Sequence, residues 1–400
     1  MRVAIITSLP SFQSYYSVAR CVRDQVLMLE RAGHDVTLYV KQGFNDSFGT
    51  LPCVNRNVFT PGIQVTDKRA QAEAFATRFG KGELASYDAI FTHDAVFLDS
   101  MVGYREGIRM IEGSVPGKWF HWSHSVPRRL KGGNGIPGHT YISLCEEHVG
   151  GICDMYRIQP SQVGVIWNPT DITDTLSGPT SKLVGEFSLL DCDILGVLPF
   201  STGRLKQKGI QRAVGYYTEL AKLGYTVKVL LCNALSSGPG GEPKKTFEPL
   251  FREAAEGLPI TILWMSDIRP EWGFYTPNEV IRELQLLGNL FIYPTIGEGF
   301  SLAIGEALVG GGLLVLPESR VPGMKEISDS AVYLCSWQEG SWEKKKFKPP
   351  SVVADEIVSF GGGMLTTFVD RHRRRWKLSR DRIWASMYVP VLEKFCPGSW

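Results

Sequence analysis

Apolar residues come in short runs separated by polar stretches punctuated with glycine, with no internal repeat and no coiled-coil heptads. The first run, Val3-Ala4-Ile5-Ile6, is apolar at every position and reads as a buried strand over 2–6. A helical pattern over 17–32 follows; Gly33 ends it and the next strand covers 35–40. Further strands are predicted at 89–92, 118–122, 140–143 and 163–167. A second series begins near Ile194, with strands at 195–199, 226–231, 260–264, 290–293, 313–316 and 331–334, and helices at 209–223, 277–287 and 302–310. Strands alternating with helices predict α/β architecture, with parallel sheets covered on both faces. The polar stretch 171–179 suits a linker, 236–245 a solvated loop, and 379–395 a helix anchored by Trp384 and Tyr388 that crosses back to the first domain. The expected organisation is a domain over 1–172, a second over 190–375, and the crossing segment 376–400.

Composition changes this picture little. At 400 residues, 44% hydrophobic and 21% charged, the chain is too long for one core. A formal net charge of +2 argues against a wholesale nucleic-acid coat but permits local basic patches. Eight cysteines are scattered without a C-x-x-C pair, which points to reduced thiols in the cytoplasm. The N-terminus enters a strand at once, with no signal peptide before it, and no apolar run reaches the ~18 residues of a membrane span.

The candidate chemistry centres on Gly297-Glu298-Gly299-Phe300-Ser301-Leu302-Ala303-Ile304-Gly305-Glu306. The apolar strand Leu290-Phe291-Ile292-Tyr293 runs into it and stops at Pro294, so a strand, a glycine turn and a helix start follow one another. Unpaired N–H groups at such a helix start suit a phosphate. Two carboxylates beside that cradle suit a ligand that also carries hydroxyls, as a nucleotide sugar does. The dinucleotide fingerprint G-x-G-x-x-G is missing after the first strand, where Leu9-Pro10-Ser11-Phe12 stands. Asp191-Cys192-Asp193 precedes a strand and reads as a solvated lead-in, with a metal pair as the alternative.

Four features together resemble the retaining glycosyltransferases of the GT-B fold that carry a Glu-x7-Glu motif (family 4-like). They are Ala32-Gly33-His34-Asp35-Val36, Asn168-Pro169-Thr170-Asp171, Gly203-Arg204 with Lys208-Gly209, and Pro294 through Leu308. The chain lacks the paired glycines such enzymes often have in their first loop; 11–17 contains none. The resemblance implies two doubly wound Rossmann-like domains facing a central cleft. It implies that the N-terminal domain binds the acceptor and the C-terminal domain a UDP-sugar or other nucleoside diphosphate sugar, without an essential metal. Carried over residue by residue, it implies Glu306 on the ribose hydroxyls and Glu298 on the donor sugar or the charge at its anomeric carbon. The backbone of Gly299, Phe300, Ser301 and Leu302 would hold the diphosphate, and Arg204 and Lys208 would clamp it, with Lys206 competing for the clamp. The base would lie near Met265, Ser266 and Asp267. His124, with His121 as runner-up, would contact the donor sugar. His93-Asp94 ends another strand and could orient either substrate; Glu326 is a supporting or helix N-terminal acid.

The resemblance also implies same-face transfer, in which the leaving phosphate helps to take the acceptor proton. Two acceptor classes stay open. The segment His124-Ser125-Val126-Pro127-Arg128-Arg129-Leu130-Lys131 is similar to a stretch in phage DNA glucosyltransferases, and Arg371, Arg373, Arg374, Arg375 and Lys377 could add phosphate contacts. That lead points towards a hydroxymethylated pyrimidine in double-stranded phage DNA, modified in the host cytoplasm. A bacterial surface glycan or a lipid-linked glycan is the alternative. A silent GT-B-like binding protein is the alternative of another class.

Overall fold

The computed structural model describes residues 1–7, 17–41, 58–59, 67–80, 82–97, 101–115, 118–124, 134–201, 205–234, 244–272, 276–295, 302–317, 332–335, 338–339 and 346–398. They form two α/β units: Met1–Thr170 with Leu378–Trp400, and Asp171–Lys377.

The first unit holds seven strands: β1 (Arg2–Ile6), β2 (Asp35–Lys41), β3 (Val58–Phe59), β4 (Ala89–His93), β5 (Lys118–Trp122), β6 (Thr140–Ser143) and β7 (Val163–Val165). They lie in the order β3-β2-β1-β4-β5-β6-β7, and every pair is parallel. Apolar residues at successive positions of β1 serve two faces. Val3 and Ile5 pack with Val22, Val26 and Leu29 of the helix Ser17–Arg31, whereas Ala4 and Ile6 belong to the core of Phe75, Phe79 and Ile108. Gly33, at φ +83°, ends that helix: its N–H bonds to Glu30 O, and His34 N–H to Leu29 O.

The C-terminal segment joins this unit through Thr170 N–H to Leu378 O at 2.8 Å, Arg380 to Asp24 at 2.9 Å, and an Arg31–Asp381 ion pair. Ile383, Tyr388 and Leu392 enter the Val3–Ile5 face. The segment is not one regular helix; a π-helical turn, Trp384–Tyr388, separates Arg380–Ile383 from Val389–Phe395.

The second unit has β8 (Ile194–Ser201), β9 (Val227–Ala234) and β10 (Ile260–Trp264) in one parallel sheet, and β11 (Leu290–Ile292), β12 (Leu313–Pro317) and β13 (Val332–Cys335) in another. Asn289 links the two. Its N–H donates to Leu195 O at 3.1 Å, and its Oδ1 accepts from Leu195 N–H at 2.8 Å. β8 therefore neighbours β11, and the strands run β10-β9-β8-β11-β12-β13, the same reversal of direction as in the first unit. Ile194 and Leu198 face the helix Ile210–Lys222, and Leu195 and Val197 face Asn278–Leu287.

The stretch 171–179 is not a free linker. Asp171 caps Thr173 N–H at 2.9 Å, and Glu283 accepts from Ser177 N–H at 2.7 Å and Ser177 Oγ at 2.6 Å. One described helix, Pro350–Lys377, is long and apolar enough by length and composition to cross a membrane, although Asp355 and Glu356 interrupt its apolar run. It is broken at Phe360–Gly363, and Val353, Ile357, Leu365 and Val369 sit in the second unit's core.

Candidate functional site

In a sheet of this order, the loops after the two strands flanking the reversal diverge and leave a crevice at their C-terminal ends. In the second unit those strands are β8 and β11. β8 leads to the helical turn Leu205–Lys208, then to Gly209 at φ +67° and the helix Ile210–Lys222. β11 leads through Tyr293-Pro294-Thr295 towards the helix Leu302–Gly310. The two turns touch. A Cβ on Gly209 would lie 2.2 Å from Pro294 O, and Arg212 Nη2 donates to the same oxygen at 3.4 Å. Burial lowers the pKa of that guanidinium.

Glu306 sits in the second turn of its helix, beyond the first turn where a helix dipole would favour an acid. Its Oε1 accepts from Arg282 Nε at 3.0 Å, with the Glu306 side chain 29% exposed. Gln285 Nε2 braces the same helix through Ala303 O at 2.9 Å. Lys208 closes the helical turn before Gly209. Arg204, Glu298, Gly299, Phe300, Ser301 and Glu326 lie outside the described residues, and Leu302 and Lys206 are described by backbone only.

Met265 begins the short helix Met265–Ile268 after β10, and its side chain is buried in the core with Val280 and Leu284, which leaves its backbone as the part that could face a base. Its carbonyl accepts from Arg269 N–H at 2.9 Å.

In the first unit, His93 ends β4, and His124 lies two residues beyond β5. Their rings are nearly coplanar, 15° apart, and meet edge to edge with His93 Nδ1 2.8 Å from His124 Nε2. His93 Nε2 is 2.9 Å from Gln25 Oε1, and Gln25 Nε2 donates to Tyr388 Oη at 3.1 Å. Asp94, at φ +55°, accepts His124 N–H on Oδ1 at 2.9 Å. Burial holds His93 well below the usual imidazole range, helped by His124, and lowers His124 to about 4; it raises the Asp94 carboxyl. Gln25 and Tyr388 carried no sequence motif. The available signal was a glutamine on the apolar stripe of Val22, Val26 and Leu29.

His121 belongs to a different network and is fully buried: Nδ1 meets Thr92 Oγ1 at 2.7 Å and Nε2 meets His139 Nδ1 at 2.8 Å. Two further expectations need correction. Asp193 is not a solvated lead-in, because it binds Arg373 Nε at 2.7 Å and Thr226 N–H at 2.9 Å. The basic run near 371–377 is largely engaged in holding its own unit together. Arg371 donates to Gly311 O, Arg373 pairs with Asp193, and Arg375 Nη1 donates to Leu287 O at 2.8 Å. Among the described residues, no three His, Cys, Asp or Glu side chains cluster as a metal set.

No family model matches the chain, and no curated protein matches its sequence. Similar solved structures include a glycosyltransferase from Rickettsia africae ESF-5, at 12% identity and TM-score 0.35 over 100% of both chains. HepE from Anabaena in complex with UDP-glucose is similar at 12% identity and TM-score 0.35, over 98% of this chain and 99% of that one. Sucrose-phosphate synthase from Thermosynechococcus elongatus is similar at 15% identity and TM-score 0.36, over 99% of each.

Proposed function

We propose that the chain is a nucleotide-sugar-dependent GT-B glycosyltransferase that transfers a sugar, with retention, to a hydroxyl of a glycan or lipid-linked glycan. The observation that carries this reading is the contact of Gly209 with Pro294. It brings together, at the reversal of one α/β sheet, the two turns whose sequences resemble the family's phosphate loop and Glu-x7-Glu loop.

In this reading the N-terminus of Leu302–Gly310, with the backbone of Gly299, Phe300 and Ser301, holds the diphosphate. Arg204 and Lys208 face the leaving oxygens. As the sugar C1–O bond breaks, its electron pair moves onto phosphate, and fixed cations stabilise that developing charge more than the ground state. The acceptor oxygen bonds to C1 on the same face, and its proton passes to the leaving phosphate. Glu306 takes ribose hydroxyls, Glu298 and His124 take sugar hydroxyls, and backbone at Met265 lies near the base. No protein nucleophile and no essential metal are invoked.

A glycan is favoured over DNA because Arg371, Arg373 and Arg375 are engaged within their own unit. The test is release of sugar from UDP-glucose, UDP-galactose, UDP-N-acetylglucosamine and GDP-mannose, followed by transfer to glycan extracts or to DNA containing hydroxymethylcytosine. Release abolished in Glu298→Gln, with transfer to glycan, supports the reading. No release from any donor makes the chain a binding protein, and transfer to DNA replaces the acceptor. An inverted product anomer by NMR refutes retention.

A further inference from the structure

In the orientation the Gln25 amide takes, the hydrogen bonds between Tyr388 and His124 run in one direction. Gln25 gives its Nε2 hydrogen to Tyr388 Oη and turns Oε1 towards His93 Nε2. A carbonyl oxygen only accepts, so His93 carries its hydrogen on Nε2. A neutral imidazole then has a lone pair on Nδ1, and the atom facing it at 2.8 Å is His124 Nε2, which must be the donor. With that hydrogen committed inward, His124 Nδ1 is an acceptor. Among the described residues it is a buried atom with no hydrogen-bond partner. A buried acceptor left without a donor is costly, so its position calls for one.

The surroundings leave the rings little freedom. His93 lies nearly parallel to Trp122, at 24°, and nearly coplanar with His124, at 15°, as an in-plane N–H···N bond requires. Asp94 holds the backbone N–H of His124. Gln25, Tyr388 and His93 are almost completely buried. Burial also keeps both imidazoles neutral at pH 7, so neither ring carries the second hydrogen that would erase the direction.

We propose that Gln25 and His93 are positioning residues that set the tautomer of His124 and reserve its Nδ1 for a hydroxyl of the bound sugar. That the ligand is a sugar rests on the function proposed above; the tautomer relay does not. Neither Gln25 nor His93 touches the ligand. Each acts through the imidazole of His124, which would accept an O–H and reject an ether or a methyl group at the same place.

The relay is tested on the ligand-free wild-type chain by NMR of 15N-labelled histidine at pH 7. Neutral Nε2–H tautomers for both His93 and His124 are expected. An Nδ1–H tautomer on His124, or a charged ring at either position, overturns the relay whatever reaction the chain performs. Gln25→Met removes the acceptor of His93 at similar length, so both rings should then show mixed tautomers. For UDP-glucose, or whichever of the four donors above is turned over, KM should rise about tenfold with kcat within about twofold. Wild-type tautomers in Gln25→Met, or mixed tautomers with an unchanged KM, overturn the proposal. If the wild type shows the expected tautomers but releases no sugar from any donor, the relay stands and the glycosyltransferase reading falls.

Discussion

Gly209 leaves no room for a side chain: at φ +67°, a Cβ would lie 2.2 Å from the carbonyl oxygen of Pro294. Gly224 has the same left-handed backbone, at φ +97°, with nothing within 4 Å. The pair separates backbone strain from a clash. Gly224→Ala should cost roughly 1 kcal/mol from strain alone. Gly209→Ala should cost about 2–4 kcal/mol by urea unfolding and reduce sugar release, because the Lys208 and Pro294 turns must part. Equal losses for the two variants would mean that the contact does not matter.

The fold was readable where strands are buried on both faces, because such strands are apolar throughout. β1 has the limits its apolar run predicts; β5, β6 and β10 also have their predicted limits, although each includes polar positions and β10 is only partly buried. β8 continues to Ser201, past the apolar run, because its backbone stays paired with β9 as far as Ala234. The relay was not readable: Gln25 is 68 residues from His93 and 363 from Tyr388, and nothing local in a sequence encodes such pairings. The contacts of Arg371, Arg373 and Arg375 were hidden for the same reason, since a run of positive charge looks alike whether it meets phosphate or groups of its own unit.

Arg282 holds one oxygen of Glu306 at 3.0 Å. An ion pair this exposed contributes little to folding, so Arg282→Ala should change stability by less than about 1 kcal/mol. If Glu306 binds ribose, its carboxylate loses orientation, and donor KM should rise roughly three- to tenfold with kcat nearly constant. Glu306→Gln should weaken donor binding as well. Unchanged donor affinity in both variants removes Glu306 from the ribose.

Arg375 and Arg374 are neighbours with different roles. Arg375 caps Leu287 O at the end of Asn278–Leu287, whereas Arg374 is exposed and bonds only within its own helix among the described residues. Arg375→Ala should cost about 1–3 kcal/mol in denaturant unfolding, and Arg374→Ala less than about 0.5 kcal/mol. A phosphate-binding face predicts the opposite pattern: little change in stability for either variant, and weaker, less salt-dependent DNA binding for both.

Buried imidazoles make the chain sensitive to acid. Burial lowers the pKa of His93 and His121 far below the usual value, of His124 to about 4 and of His139 to about 3, and in the second unit of His372 to about 4. The unfolded chain titrates its histidines near 6.5, so between that pH and the folded values the unfolded state binds more protons. Stability is therefore complete above about pH 6.5 and lost as pH falls towards 4. Asp94, raised by burial, works in the opposite sense, but it is one group against five. The urea midpoint should be flat from pH 8 to 7 and fall steadily from 6.5 to 5. His139→Gln should lower the midpoint at pH 7.5 by breaking the bond to His121, yet flatten the slope below 6.5 by removing one titrating ring. A wild-type midpoint equal at pH 5 and pH 7 would show that these rings are not buried neutral.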